Sequence, residues 1–242
     1  ILKKNSHFKY LDKLEDLTFL GFNDPYMQIE NYNITSDKIV SLLEIEKINR
    51  SFDINKCKTI LEIGAGSGRT ADAILSIYPS TKYVICDIPP ALFISYKRLK
   101  LRFPEKKIYF CSDDNIINAI NENDIILMFP HNLQQIKNSI DLILAIDCLH
   151  EMNNKTIDFY LKNFSNISKN LFCTVWKRTT LPYSKHPFKF LYEKGLSKAF
   201  YGPDDVLDFE KGDYNIPKNW QLILKEKLEF PSNHIALAYK IV

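Results

Sequence analysis

Long apolar runs are missing from this 242-residue chain. None reaches the ~20 residues that a bilayer-spanning helix needs, and the opening ILKKNSHFKYLDKLED is too charged for a signal-peptide core. The expectation is a cytoplasmic chain with no membrane span. A dominant sign of charge is missing too. The formal net charge is +3, with Lys and Arg scattered, which excludes the basic stripe of a nucleic-acid binder. Paired cysteines are absent from the pattern. Cys57, Cys86, Cys111, Cys148 and Cys173 are odd in number, dispersed and never in CxxC. That argues against a zinc site or disulfide framework and for buried reduced thiols. The chain opens on Ile1 rather than methionine, as a trimmed chain would. Glycine is scarce, with seven residues in all, so any concentration of it carries information.

What the chain does have is an apolar fraction of 45%, enough for a real core, and a change of rhythm near residue 59. Before it come two amphipathic segments, roughly Phe8 to Phe19 and Ser36 to Asn49, separated by the polar and aromatic FNDPYMQIENYNIT. After it, short apolar runs (TILEI, KYVICD, KIYFCS, IILMF, DLILAID, LFCTVW) alternate with helical stretches at 69–78, 90–103, 115–121 and 155–167. That alternation signals βαβ units and a parallel sheet. A segment rich in aromatics, Lys and Pro follows from about 177 to 218. WQLILKEKLEF and HIALAYKIV then read as a terminal antiparallel hairpin.

Three of the seven glycines stand together in ILEIGAGSGRT, residues 60–70. Glycine lets a backbone turn tightly and approach a ligand closely. A dinucleotide fingerprint requires GxGxxG, but the third glycine here is Gly68 and the fingerprint position holds Arg69. The observed order, Glu62-x-Gly64-Ala65-Gly66-x-Gly68, suits a ligand with no phosphate at the loop and an ammonium for Glu62. Asp87 ends the next strand, where a doubly wound sheet places an acid on ribose hydroxyls, with Ile88 beside it. A cationic amino acid, a ribose diol and an adenine together describe S-adenosylmethionine.

Residues 59–176 resemble class I S-adenosylmethionine-dependent methyltransferases. ILEIGAGSG matches the first motif of that family, VICDI its ribose acid, and DLILAIDCLHEM (141–152) its fourth-strand motif. The terminal hairpin matches its reversed last strand. Pro89-Pro90, Pro130-His131 and Glu151-Met152 narrow the resemblance to a bacterial sugar O-methyltransferase family, over roughly residues 23–176. The resemblance implies an α/β Rossmann-like fold: a seven-stranded, mostly parallel sheet with helices on both faces, an antiparallel terminal hairpin, and an N-terminal helical cap or lid over 1–55. The methyltransferase domain would fill 56–242, with an acceptor-side insertion about 177–218. The function implied is methyl transfer to a sugar hydroxyl, in surface-polysaccharide or glycan biosynthesis. A small aromatic or other metabolite as acceptor, or an inactive S-adenosylmethionine- or partner-binding protein, stay open as alternatives, as does a homo-oligomer.

Methyl transfer is largely a matter of holding an acceptor oxygen behind the methyl carbon. A hydroxyl also benefits from a general base, and histidine titrates in the useful range. His150, just past the fourth strand, is the first candidate, with Glu151 to orient it or bind the acceptor. Phe129, Pro130 and His131 are placed at the adenine, with Ser112 and Asp113 as the alternative. Asp147 is counted with the cofactor set. Asp147 and Glu151 also have the hard oxygens that Mg²⁺ prefers, although a metal is not favoured. Tyr32, Trp176, Tyr183 and His186 are assigned to the acceptor. His7 and His234 are read as structural.

Overall fold

The structure, a computed structural model, describes residues 8–14, 27–29, 32–111, 115–179, 207–228 and 234–242. Residues 8–13 form a 3-10 helix, and the aromatic stretch after it contains a small hairpin, β1 (Met27–Ile29) and β2 (Tyr32–Ile34). The sequence pattern suggested only a loop there, since three-residue strands are too short for a period to show. Helix α1 (Ser36–Ser51) starts at Thr35, whose hydroxyl accepts from the Lys38 N–H at 3.3 Å. Such a cap satisfies one of the four free N–H groups of a helix start.

The main sheet is built from β3 (Thr59–Ile63), β4 (Lys82–Cys86), β5 (Ile108–Cys111), β6 (Ile125–Met128), β7 (Leu142–Ile146), β8 (Asn170–Trp176), β9 (Gln221–Lys227) and β10 (His234–Lys240). Their order is β5-β6-β4-β3-β7-β8-β10-β9. All neighbours pair in parallel except β10, which runs antiparallel to both β8 and β9. Strands buried on both faces read as continuous apolar runs, and β3, β6 and β7 are buried at every residue.

Among the described residues the sheet has eight strands, not the expected seven. IILM and IYFC both join it. Strand β6 takes the place beside β4 and moves β5 to the rim. Their exposure agrees, since Tyr109 and Phe110 of β5 are partly open to solvent while β6 is fully covered.

Helices α2 (Arg69–Ile77) and α3 (Pro89–Arg102) join α1 on one face of the sheet, while α4 (Ile116–Glu122) and α5 (Asn154–Ile167) lie on the other. Each face has its own apolar core. Leu61 and Ile63 point into one, and Ile60, Tyr83 and Ile85 into the other. All five cysteines are free and buried. Among the described residues no helix is long and apolar enough to cross a membrane. The chain leaves β3 for β4 on one side and returns to β7 on the other. The carboxyl end of β3 is therefore the switch point where open α/β sheets take their ligands.

Candidate active site

The glycine loop occupies that switch point. Gly64 has a φ of +69°, and a Cβ there would lie 2.5 Å from the Cys148 Cβ, so no side chain can be admitted. The Cys148 thiol donates to the Ile63 carbonyl at 3.1 Å, locking the ends of β3 and β7 together at this crossing. Two residues on, the exposed Gly66 is the opposite case. Nothing lies within 4 Å of where its Cβ would stand, so the backbone borders open space. Ala65 is buried between them, and Gly68 is the N-cap of α2.

Asp87, at the end of β4, closes on this loop. One carboxylate oxygen accepts from the Gly66 N–H at 2.9 Å, and the other accepts from the Ile88 N–H at 2.7 Å. Burial pushes the Asp87 carboxyl up, and those two N–H groups oppose the shift. Ile88 is 59% exposed, a large apolar side chain left open beside the carboxylate. The end of β6 joins it, since the Asp87 N–H donates to the Met128 carbonyl at 3.2 Å. Phe129 therefore follows directly. It stacks on His131 at 5.7 Å between ring centroids, and the side-chain oxygen of buried Asn132 accepts from its N–H. Phe129, Pro130 and His131 thus share the edge with Asp87. Ser112 and Asp113 lie outside the described residues.

Glu62 does not face the open side of the loop. It lies on the α1–α3 face of β3 at 1% exposure, and its carboxylate accepts from the Tyr83 hydroxyl at 2.9 Å. Burial pushes its pKa up to about 7. An ammonium at the loop would find this oxygen already turned into the core. Near it, Arg69 makes a two-pronged bond to the buried Glu44 of α1, at 2.8 and 3.1 Å, and donates to the Ser41 hydroxyl. The residue that breaks the dinucleotide fingerprint thus ties the N-terminal helix to the glycine loop.

Across the switch point stands a second group. Asp147 directly follows β7 at a φ of +51°, which is uncommon for a residue with a side chain. Thr174 holds it there. The Asp147 N–H donates to the Thr174 carbonyl and hydroxyl, and that hydroxyl donates to the Asp147 carboxylate at 2.6 Å. The same carboxylate oxygen lies 3.3 Å from His234 Nε2. His150 is 4% exposed, stacked on Trp176 at 5.0 Å and edge-on to His234 at 5.7 Å. Desolvation lowers its pKa to about 4, with Asp147 opposing. Glu151 is exposed beside them. Partial desolvation, then the negative charges of Asp147 and Asp87, push its carboxyl up, so the three acids share one edge. Among the described residues no three acid, histidine or cysteine side chains are grouped to hold a metal ion.

The structure thus brings Gly64, Ala65, Gly66, Gly68, Asp87, Ile88, Phe129, Pro130 and His131 to one part of the edge, and Asp147, His150, Glu151 and Trp176 to another. Tyr32 opens β2, opposite Ile29. Tyr183 and His186 fall outside the described residues. The sequence did not single out Thr174, and His234, read there as structural, is brought to this same edge. The signal for His234 was available: the first residue of a reversed strand arrives at the edge where the parallel strands end.

Residues 61–170 match a family model described as a methyltransferase domain. Over 86 residues the chain is 30% identical to acetylserotonin O-methyltransferase of Bos taurus, a stretch covering 36% of this chain and 25% of that protein. The chain thus spans a quarter of the length of that curated relative. Among solved structures it resembles the mitomycin 7-O-methyltransferase MmcR (TM-score 0.54, 13% identity, 85% of this chain and 56% of that one). It also resembles the pyocyanin biosynthetic protein PhzM (0.52, 17%, 84% and 55%). A third is the fibrillarin pre-rRNA processing protein of Methanococcus jannaschii (0.53, 12%, 91% and 83%). These likenesses are of fold, and the fold is the Rossmann-like one of methyltransferases.

Proposed function

We propose that this chain, with a methyltransferase domain at its centre, is an S-adenosylmethionine-dependent O-methyltransferase whose acceptor is a sugar hydroxyl. The observation that carries the reading is the pairing of Gly66 and Asp87. A glycine bordering open space stands 2.9 Å from a carboxylate, at the switch point of the sheet. A ribose diol has its acceptor in Asp87. An adenine has apolar and aromatic walls in Ile88 and Phe129, with Pro130 and His131 closing the turn. The group would supply an electrophilic methyl on sulfur. The rest falls to the chain: to seat the acceptor oxygen, exclude water and take one proton.

For the acceptor side, imidazoles and Trp176 stand together at the ends of β7, β8 and β10. An indole face beside hydrogen-bonding groups suits a sugar ring, which has both apolar and polar faces. The Pro-Pro, Pro-His and Glu-Met pairs of the sequence support the same acceptor class. A second reading, a small aromatic or other metabolite as acceptor, is favoured by the local identity to acetylserotonin O-methyltransferase.

Calorimetry tests the cofactor. S-adenosylmethionine is expected to bind in the micromolar range and NAD not at all, and Asp87→Ala should weaken binding about tenfold or more, since it removes a charged hydrogen-bond acceptor. Tight NAD binding without S-adenosylmethionine binding would refute the reading. Transfer of tritiated methyl to a panel of methyl glycosides and simple phenols then separates the acceptors. Label on phenols alone removes the sugar.

A further inference from the structure

We propose that His234, which stands beside Asp147, is the group that takes the acceptor's proton, and that His150 seats the acceptor. This rests on the methyl-transfer reading above. The first argument is position. Strand β10 runs antiparallel to β8 with His234 opposite Trp176, so its first residue lies at the edge where β7 and β8 end. The chain reaches its own ligand edge a second time from the opposite direction.

The second argument is tautomer. His234 Nε2 lies 3.3 Å from the Asp147 carboxylate, at ion-pair distance but without the alignment of a hydrogen bond. A carboxylate only accepts, so this neighbour favours the tautomer with the hydrogen on Nε2, which leaves Nδ1 its lone pair. His234 is 7% exposed, and its Nδ1 is buried with no hydrogen-bond partner among the described residues. A buried polar atom left open in this way calls for a ligand atom or water. Asp147 is itself fixed, by two bonds from its N–H to Thr174 and one from the Thr174 hydroxyl. Its φ of +51° is a strained conformation that persists because the surroundings hold it. A carboxylate that orients an imidazole and balances its charge after proton uptake is the arrangement that makes histidine an effective base.

The third argument is contrast. Among the described residues no carboxylate lies at ion-pair distance from His150, whereas Asp147 does from His234. The His150 ring lies against Trp176 and the edge of His234, and its Nδ1 is likewise unpartnered. Burial keeps it uncharged at neutral pH, which suits a hydrogen-bonding wall better than a proton acceptor. The charged and titratable groups that the described structure sets against His234 are Asp147, directly after β7, and His150 from the turn that follows.

The step balances as follows. The acceptor oxygen bonds to the methyl carbon as the carbon–sulfur bond breaks, with its electron pair staying on sulfur. The hydroxyl proton passes to His234 Nδ1, and Asp147 faces the resulting imidazolium through Nε2.

Nitrogen-15 NMR of histidine-labelled chain at neutral pH reads the tautomer without any acceptor. His234 is expected to show a protonated Nε2 and an unprotonated Nδ1, with that preference weakened in Asp147→Asn. A His234 protonated at Nδ1 would overturn the proposal. With the methyl glycoside that the screen returns, His234→Gln should lower turnover by about 10²- to 10⁴-fold with calorimetric S-adenosylmethionine binding retained. Imidazole added to His234→Gly should restore part of the turnover, which a structural role would not allow. His150→Gln should raise KM more than it lowers kcat. Undiminished turnover in His234→Gln overturns the dyad alone, whereas an unsubstituted chain that fails to bind S-adenosylmethionine overturns the methyl-transfer reading with it.

Discussion

The charge on His150 is decided by where the chain buries it. An exposed imidazole titrates near 6.5, while this one is held down to about 4. Above pH 6.5 the ring is neutral folded and unfolded, and its full contribution is present. As pH falls from 6.5 toward 4, the unfolded chain binds a proton that the folded chain refuses, so stability is lost across that window. The shift is worth ~3 kcal/mol. Urea unfolding at pH 7, 5.5 and 4 should therefore show a steeper loss for the natural chain than for His150→Phe, which keeps a ring against Trp176. Equal slopes would mean that the ring is solvated. At this scale the sequence was informative where a residue follows a parallel strand. Asp87, His131, Asp147 and His150 could be named because such strands end at one edge. Glu62 was harder. Its neighbours in sequence are loop residues, but the two-residue alternation of the strand turns it to the α1–α3 face, where Tyr83 meets it.

Elements were legible in proportion to their length and period. The helices at 69–77, 89–102 and 154–167 and the strands between them lie within a residue or two of the pattern. The three-residue strands of the N-terminal hairpin carried no such pattern. The neighbours of β5 and β6 could not be read either, because both are short apolar runs and pairing order is a matter of tertiary packing. Nor does any local signal announce that α1 is joined to α2 by a buried ion pair. Glu44 is 0% exposed, and burial pushes its carboxyl up while Arg69 opposes the shift. Removing one partner leaves the other charged and alone, which costs about 3–5 kcal/mol, whereas replacing both with apolar side chains of similar size is close to neutral. Glu44→Gln should thus lower the urea midpoint sharply and open α1 to protease. The pair Glu44→Met with Arg69→Met should recover most of that stability. If the single variant matches the natural chain, the pair contributes nothing to holding the helix.

For the molecule as a whole, a ligand that binds only the folded chain raises its stability by mass action. S-adenosylhomocysteine at about a hundred times its Kd adds ~2.7 kcal/mol. For a chain of this size each kcal/mol moves Tm by roughly 2–4 °C, so a thermal scan should rise by about 5–10 °C. Asp87→Ala, with binding weakened tenfold, should cut that rise by about half at the same concentration. The α/β class, the mostly parallel sheet and the reversed terminal strand were all readable from the order of apolar runs, because each βαβ unit repeats one period change. The sheet width was not, since whether a short apolar run pairs or packs depends on partners distant in sequence. The reversed β10 also bears on the order in which a nascent chain becomes competent. The glycine loop and Asp87 emerge from the ribosome early, and β7 with Asp147 and His150 somewhat later. His234 emerges only after the whole of β9, and it must then travel back beside Trp176. Domains fold as units, so the edge is complete only once β10 has been made, and the group proposed to take the proton is the last of its residues to be synthesised.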